Sequence, residues 1–417
     1  MACRSLLLAN RNYRLVFSAS AVSNLGDGIA LVAIPWLATL LTRDPLLIAA
    51  VATAGRLPWL LFALPAGVWT DRSDRRRLMV RADLARVALA AALVGMIVSG
   101  PPLPLDEAGP GPVLALCLVG FLLGTAEVVR DNAAQTVLPA IVAPGDLERA
   151  NGQMWSAEQV MGQFVGPPLA GALIAASVAL PFGVNAAAFA LSAALVWLVV
   201  LPVRAPSGLD RFWAALMEGL GWMRRHRTVL RLAVMLGAIN AVFVGGMTVL
   251  VLYAQEVLGL SPQGYGLLLA CGAAGGAIGG LAAPGIARRL GMRASLLLAL
   301  GTFVAVNLLL GLFASAPLAG AALFVEAMGG MLWNVVTVSY RQRLIPDELL
   351  GRVNSVYRFL GWGSMPFGAL GAGALVAALE PSAGRLPALH APYLLGAGVC
   401  TGLVGYAALR LSAERGP

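Results

Sequence analysis

Long apolar runs, each about the twenty residues that cross a bilayer, are joined here by short arginine-bearing loops and leave the chain few folds to adopt. The sharpest junction is Gly67-Val68-Trp69-Thr70-Asp71-Arg72-Ser73-Asp74-Arg75-Arg76-Arg77. It is a basic hairpin between apolar runs at 45–66 and 78–98. Such a segment is a tight turn on one side of a membrane, and arginine marks that side as cytoplasmic.

Composition enters as a bound. Of 417 residues, 59% are hydrophobic and 12% charged, whereas a soluble domain carries roughly 25% charged residues. The apolar excess is too large for one buried core, so lipid must solvate much of the surface. Net charge is +9, and every one of the 29 basic residues is Arg. The arginines are parcelled between apolar runs, which points to the bilayer as partner and not to nucleic acid. Cys3, Cys117, Cys271 and Cys400 are scattered, and His226 and His390 lie far apart. No metal site and no cofactor are expected.

Counted outward from the hairpin, twelve spans fit: 14–41, 45–70, 78–100, 112–134, 151–176, one ending near 203, 231–253, 265–286, one ending near 314, 317–340, 353–379 and one ending near 411. Loop arginines collect on the hairpin's side, while the opposite side carries Arg43 and Arg385. Both termini are therefore expected in the cytoplasm of a multi-pass inner (plasma) membrane protein. No removable signal is expected. The expected domains are an N-terminal six-helix bundle (1–203), a cytoplasmic linker with an amphipathic helix (204–230) and a C-terminal six-helix bundle (231–417). In the linker, Leu209, Phe212, Trp213, Leu216, Leu220 and Met223 recur at helical spacing. That pattern suits a helix lying in the interface, or equally one packed on the protein.

The chain also repeats itself. Pro144-Gly145-Asp146-Leu147-Glu148-Arg149-Ala150-Asn151 parallels residues 346–354, each entering the fifth span of its half. The hairpin has a shorter echo at 285–291. Two six-span halves in one orientation form a parallel repeat, as in alternating-access carriers.

With those features in view, the sequence resembles the major facilitator superfamily along nearly its whole length. Gly67, Asp71, Arg72, Arg75 and Arg76 match that family's loop signature, and Thr70 is close to its small residue. Trp69 replaces the common Leu, and Asp74 replaces the second Gly. The resemblance implies that this loop gates the inner side by ion pairing and by contact with a helix N-terminus. Asn24-Leu25-Gly26-Asp27-Gly28, with Glu218-Gly219-Leu220 before Arg224-Arg225-His226, looks like the twelve-helix efflux branch that includes enterobactin exporters and macrolide-efflux-like proteins. Gly162, Gly166, Pro167 and Gly171 resemble an exporter signature in span 5. Small residues four apart let helices approach, and Pro kinks the span, so these are the expected hinge. Glycines 361, 363, 368, 371 and 373 suggest a matching hinge in span 11.

Charges inside spans cost at least ~2.5 kcal/mol each and should face a cavity or a partner. Asp27 and Arg56 lie at similar depths, ~20 Å from the basic side at 1.5 Å per residue, so they are expected to pair. Glu127 lies one helical turn from Arg130 and Asp131, and those three can pair locally. Glu158 lies at a similar depth, and Glu326 stands near the midplane of span 10 with no obvious partner. Asp27, Glu127, Glu158 and Glu326 are thus the proton-coupling candidates, with Arg56 and Arg130 as charge partners. Asn24, Trp59, Gln159, Asn240, Phe243 and Asn334 are the substrate-cavity candidates.

The chain has no Lys and so no Gly-x-x-x-x-Gly-Lys phosphate loop, which makes an ion gradient the remaining energy source. Gly-x-Ser-x-Gly does not occur, and no enzymatic chemistry is expected. The expected fold is an all-α membrane protein, two parallel-repeat six-helix bundles of the major facilitator kind. The expected function is a monomeric, proton-coupled exporter of amphiphilic or drug-like small molecules. The alternatives are an importer or a siderophore or lipid carrier of the same fold, or a non-transporting membrane receptor.

Overall fold

A computed structural model of the chain describes residues 6–105, 110–201 and 212–410; the side chains of 63–69, 71, 72, 212–216, 347, 348 and 351 also lie outside the described set. Among the described residues every regular element is helical. In chain order these are α1 (Leu6–Ala9), α2 (Arg11–Leu41), α3 (Pro45–Arg72), α4 (Arg75–Ser99), α5 (Pro110–Ile141), α6 (Leu147–Glu158), α7 (Gly166–Ala176), α8 (Leu180–Trp197), α9 (Phe212–Arg225), α10 (Arg227–Leu252), α11 (Pro262–Leu312), α12 (Ala316–Leu344), α13 (Asp347–Trp362), α14 (Met365–Ala383) and α15 (Arg385–Arg410). One π-helical segment, Gln159–Val165, joins α6 to α7, and another, Tyr253–Val257, follows α10.

Ten helices among the described residues are long and apolar enough to cross a membrane. The difference from twelve has two sources. The expected spans 8 and 9 follow one another within α11, which is two helices meeting at a kink at Gly291, where φ is +73° and the backbone is not helical. A left-handed residue favours glycine, and this one falls in the expected loop. The expected span 5 is divided into α6, the π segment and α7, none of them long enough alone.

The hairpin is tighter than expected. Helix α3 continues through Arg72, and only Ser73 and Asp74 stand between it and α4. Asp74 caps α4: its Oδ1 accepts from the Arg77 backbone N–H at 3.1 Å, and its other oxygen lies 3.5 Å from Arg77 Nε. The residue that replaces the family's Gly is thus an N-cap, a role in which Asp is among the preferred residues.

The chain divides into two compact units. The first is Met1–Arg43, Ala54–Leu209 and Ser261–Ala270; the second is Asp44–Thr53, Asp210–Leu260 and Cys271–Pro417. In the first, Val16, Met79, Val137 and Val196 tie α2, α4, α5 and α8 into one core. In the second, Leu232, Leu300, Trp333 and Tyr357 do the same for α10 to α13. The first part of the expected linker, 204–211, lies outside the described residues. The last turns of α9 pack on the second unit, where Trp222 and Met223 join the core and Glu218 ion-pairs with Arg352.

The same crossing recurs in each unit. In the first, α2 meets α7 where a Cβ on Gly166 would lie 2.6 Å from Gly28 Cα. In the second, α10 meets α13 and α14, where a Cβ on Gly237 or Gly245 would lie 2.8 or 2.9 Å from a backbone oxygen of Leu360 or Gly368. Bare backbone at these points is what allows the axes to approach.

Candidate functional site

Four helices of the first unit deliver charge to one place. Helix α2 carries Ser23 and Asp27, α4 carries Asp83 and Arg86, α5 carries Glu127, Arg130 and Asp131, and α8 carries Ser192. Asp83 and Arg86 stand three apart, as do Glu127 and Arg130, so each pair shares a helix face.

Asp27 ion-pairs with Arg86 and not with Arg56. The expected Asp27–Arg56 pair is corrected: equal depth brings two groups to one level, but helix rotation decides which of them meet. Arg56 is exposed on α3, within electrostatic reach of Glu127. Arg86 also donates to Ser23 Oγ at 3.0 Å and to Asp83 Oδ1 at 3.4 Å, and its Cζ lies 3.8 Å from the Phe189 ring centre.

Asp83 is the hub. Its Oδ1 accepts from Arg130 Nε at 3.1 Å, and its Oδ2 from Ser192 Oγ at 2.7 Å. Arg130 further donates to Ser192 Oγ at 3.3 Å and to the Ala19 carbonyl at 3.4 Å. Its remaining nitrogen lies 3.6 Å from Asp131. Buried charges need such partners because low dielectric penalises any left alone. Side-chain exposure separates two roles: Asp83 is 0% exposed, Asp27 30% and Asp131 35%. Asp83 holds the helices together, while Asp27 and Asp131 reach the edge of the network.

Sequence reading overlooked Asp83 and Arg86. The available signal was an Asp-x-x-Arg pair inside an apolar run, where charge is costly and must be matched.

The expected hinge residues also gather here. Gly162 and Gly166 lie against Asn24 and Gly28 of α2, and a Cβ on Gly171 would lie 2.9 Å from Gln263 Cα. Gly162 falls inside the π segment and Pro167 opens α7. A π turn leaves the ordinary hydrogen-bond ladder and often marks a functional segment. Glu158, next to that turn, is exposed but within electrostatic reach of Asp131 and Asp27. Gln159 and Trp59 are partly buried.

Of the signature loop, Arg75 donates to the Thr136 carbonyl at 3.0 Å and Arg76 to the Val199 carbonyl at 3.3 Å. Both ends are inside the first unit, near the C-termini of α5 and α8, where cations are favoured. Gly67, Asp71 and Arg72 lie in α3, with side chains outside the described residues.

In the second unit, Glu326 lines a small cavity of about 10 Å³, room for roughly one water. Its neighbours there include Phe243, Met247, Asn307 and Tyr393. Among the described residues Glu326 makes no hydrogen bond or ion pair. Asn240 donates its amide to the Gly361 carbonyl at 2.8 Å, a link between α10 and α13. Asn334 is exposed on α12. Phe243 is 42% exposed.

The chain is 29% identical over 420 residues to the multidrug efflux pump Tap of Mycobacterium tuberculosis, covering 96% of this chain and 93% of that protein. It is 26% identical over 388 residues to the enterobactin exporter EntS of Salmonella choleraesuis, covering 91% and 89%. Its fold is similar to that of a bacterial homologue of the iron transporter ferroportin, with a TM-score of 0.73 at 19% identity, over 96% of this chain and 100% of the other. The family model described as Major Facilitator Superfamily matches residues 16–370, and the chain therefore belongs to that superfamily as a multi-pass membrane transporter.

Proposed function

We propose that the chain is a proton-coupled exporter of amphiphilic or drug-like small molecules, working as a monomer by alternating access. Its two six-helix halves cross the plasma membrane twelve times with both termini in the cytoplasm. Tap is named a multidrug efflux pump and EntS an exporter, and these names support outward movement of small molecules.

The observation that carries the coupling is the charge balance around Asp27. Glu127, Asp131 and Glu158 each lie within electrostatic reach of Asp27, and Asp83 within reach of Asp131, against Arg56, Arg86 and Arg130. Carboxylates outnumber guanidiniums there, so proton binding relieves their repulsion. Asp27 joins that network to the Gly28 crossing beside the π segment. Rearrangement at the crossing separates Asp27 from Arg86 and changes which carboxylate holds the proton. Glu326 is the corresponding lone carboxylate of the second half.

Proteoliposomes with an imposed pH gradient test this. Addition of cationic, neutral and anionic amphiphilic dyes should release protons with at least one of them. Asp27→Asn and Glu326→Gln should each reduce that release at least ten-fold. Substrate-dependent proton movement that survives both changes removes the coupling assignment.

A further inference from the structure

Arg341, in the last turn of α12, is a buried cation of the second unit with no carboxylate paired to it among the described residues. It is 8% exposed. Its Cζ lies 3.6 Å from the ring centre of Tyr357, and its Nε donates to the Thr337 carbonyl at 3.3 Å. Tyr357 is held in turn by its hydroxyl, which donates to the Leu232 carbonyl at 3.4 Å. Among the described residues, the two terminal nitrogens of Arg341 make no hydrogen bond or ion pair. Arg358, the residue after Tyr357, is exposed and lies within electrostatic reach of Arg341. It too has no ion pair among the described residues, and its Cζ lies 5.9 Å from the Trp362 ring centre.

None of the described carboxylates of this unit pairs with Arg341: Asp44 accepts from the backbone N–H groups of Leu46 and Leu47, Glu218 holds Arg352, Glu256 and Glu380 hold Arg385, and Glu326 lines its cavity. The C-terminal dipole of α12 offsets part of the charge on Arg341, but that effect fades within one turn. Two like charges side by side, one of them desolvated, favour a bound anion. Stacking against Tyr357 fixes the guanidinium plane and leaves its fork free for a planar oxyanion.

We propose that Arg341, Arg358 and Tyr357 form an anion-binding site in the second unit. It takes the carboxylate, sulfonate or phosphate of an amphiphile, with the Tyr357 and Trp362 rings against the apolar part. The site rests on the carrier reading only for the route by which its ligand arrives.

The test is binding without any gradient. The full chain in phosphatidylcholine nanodiscs is titrated with radiolabelled 1-naphthoate and with uncharged 1-naphthamide. Naphthoate should bind at least ten-fold more tightly. Arg341→Gln and Arg358→Gln should each weaken naphthoate at least ten-fold and leave naphthamide unchanged. Arg341→Lys keeps the charge but not the planar stack, and should lose several-fold. Arg358 is exposed, so its variant reads binding without disturbing the core. Adding phosphatidylglycerol separates two sources of the anion. Displacement of naphthoate supports the site with a lipid headgroup as occupant, and unchanged binding supports it for a soluble amphiphile. No naphthoate binding, equal binding of the two probes, or wild-type affinity in Arg358→Gln overturns the site. Since no proton moves in this measurement, its failure leaves the coupling reading standing, and failure of coupled flux leaves this site standing.

Discussion

Asp83 and Asp27 share a network but stand in different surroundings, and their variants should separate. Asp83 is fully buried between Arg86 and Arg130. Removing one partner of a buried ion pair costs about 3–5 kcal/mol, because the other charge is stranded. Asp83→Ala is therefore expected to lower stability by that order, read as loss of folded protein in a detergent thermal melt. Asp27→Asn, at the exposed edge, should shift the melt far less while impairing transport. Equal shifts would remove the distinction between holding and coupling residues. Depth counted along one span located Asp27 and Glu127 without help. It could not locate Arg86 as the partner, because rise per residue gives a level and not an azimuth.

Caps and crossings belong to the scale of the element. Asp74→Ala removes the N-cap of α4 and should cost ~1 kcal/mol, whereas Asp74→Gly, which restores the family residue, should cost only a few tenths. Thermal midpoints of the two variants that coincide would show that the cap contributes nothing. At the crossings, Gly28 and Gly245 meet backbone directly. A branched side chain there overpacks, at about 1–3 kcal/mol. Gly28→Val and Gly245→Val should both lower stability by that amount, while Gly183→Val, where nothing lies within 4 Å, should not. Comparable losses at all three positions would reduce the crossings to ordinary helix propensity. Glycine spacing made both crossings legible in the chain. The π segment was not, since its missing hydrogen bonds carry no composition of their own.

For the whole molecule, orientation is the first thing to test. Pro102→Cys, in a background with the four native cysteines replaced, should react with an impermeant maleimide added to intact cells. Labelling only from the cytosolic side would invert the topology and take the carrier assignment with it. Belonging to the superfamily and the all-helical membrane fold were decided by the chain's own pattern. Apolar length, arginine bias and repeated loops are one-dimensional properties, and a bilayer reads them in one dimension. Which carboxylate meets which arginine, how α3 runs on to Arg72, why Asp74 stands in place of Gly, and how Arg341 comes to stack on Tyr357 were decided only in the folded molecule. Those depend on helix rotation and on contacts between residues far apart in sequence, which no periodicity along a single span records.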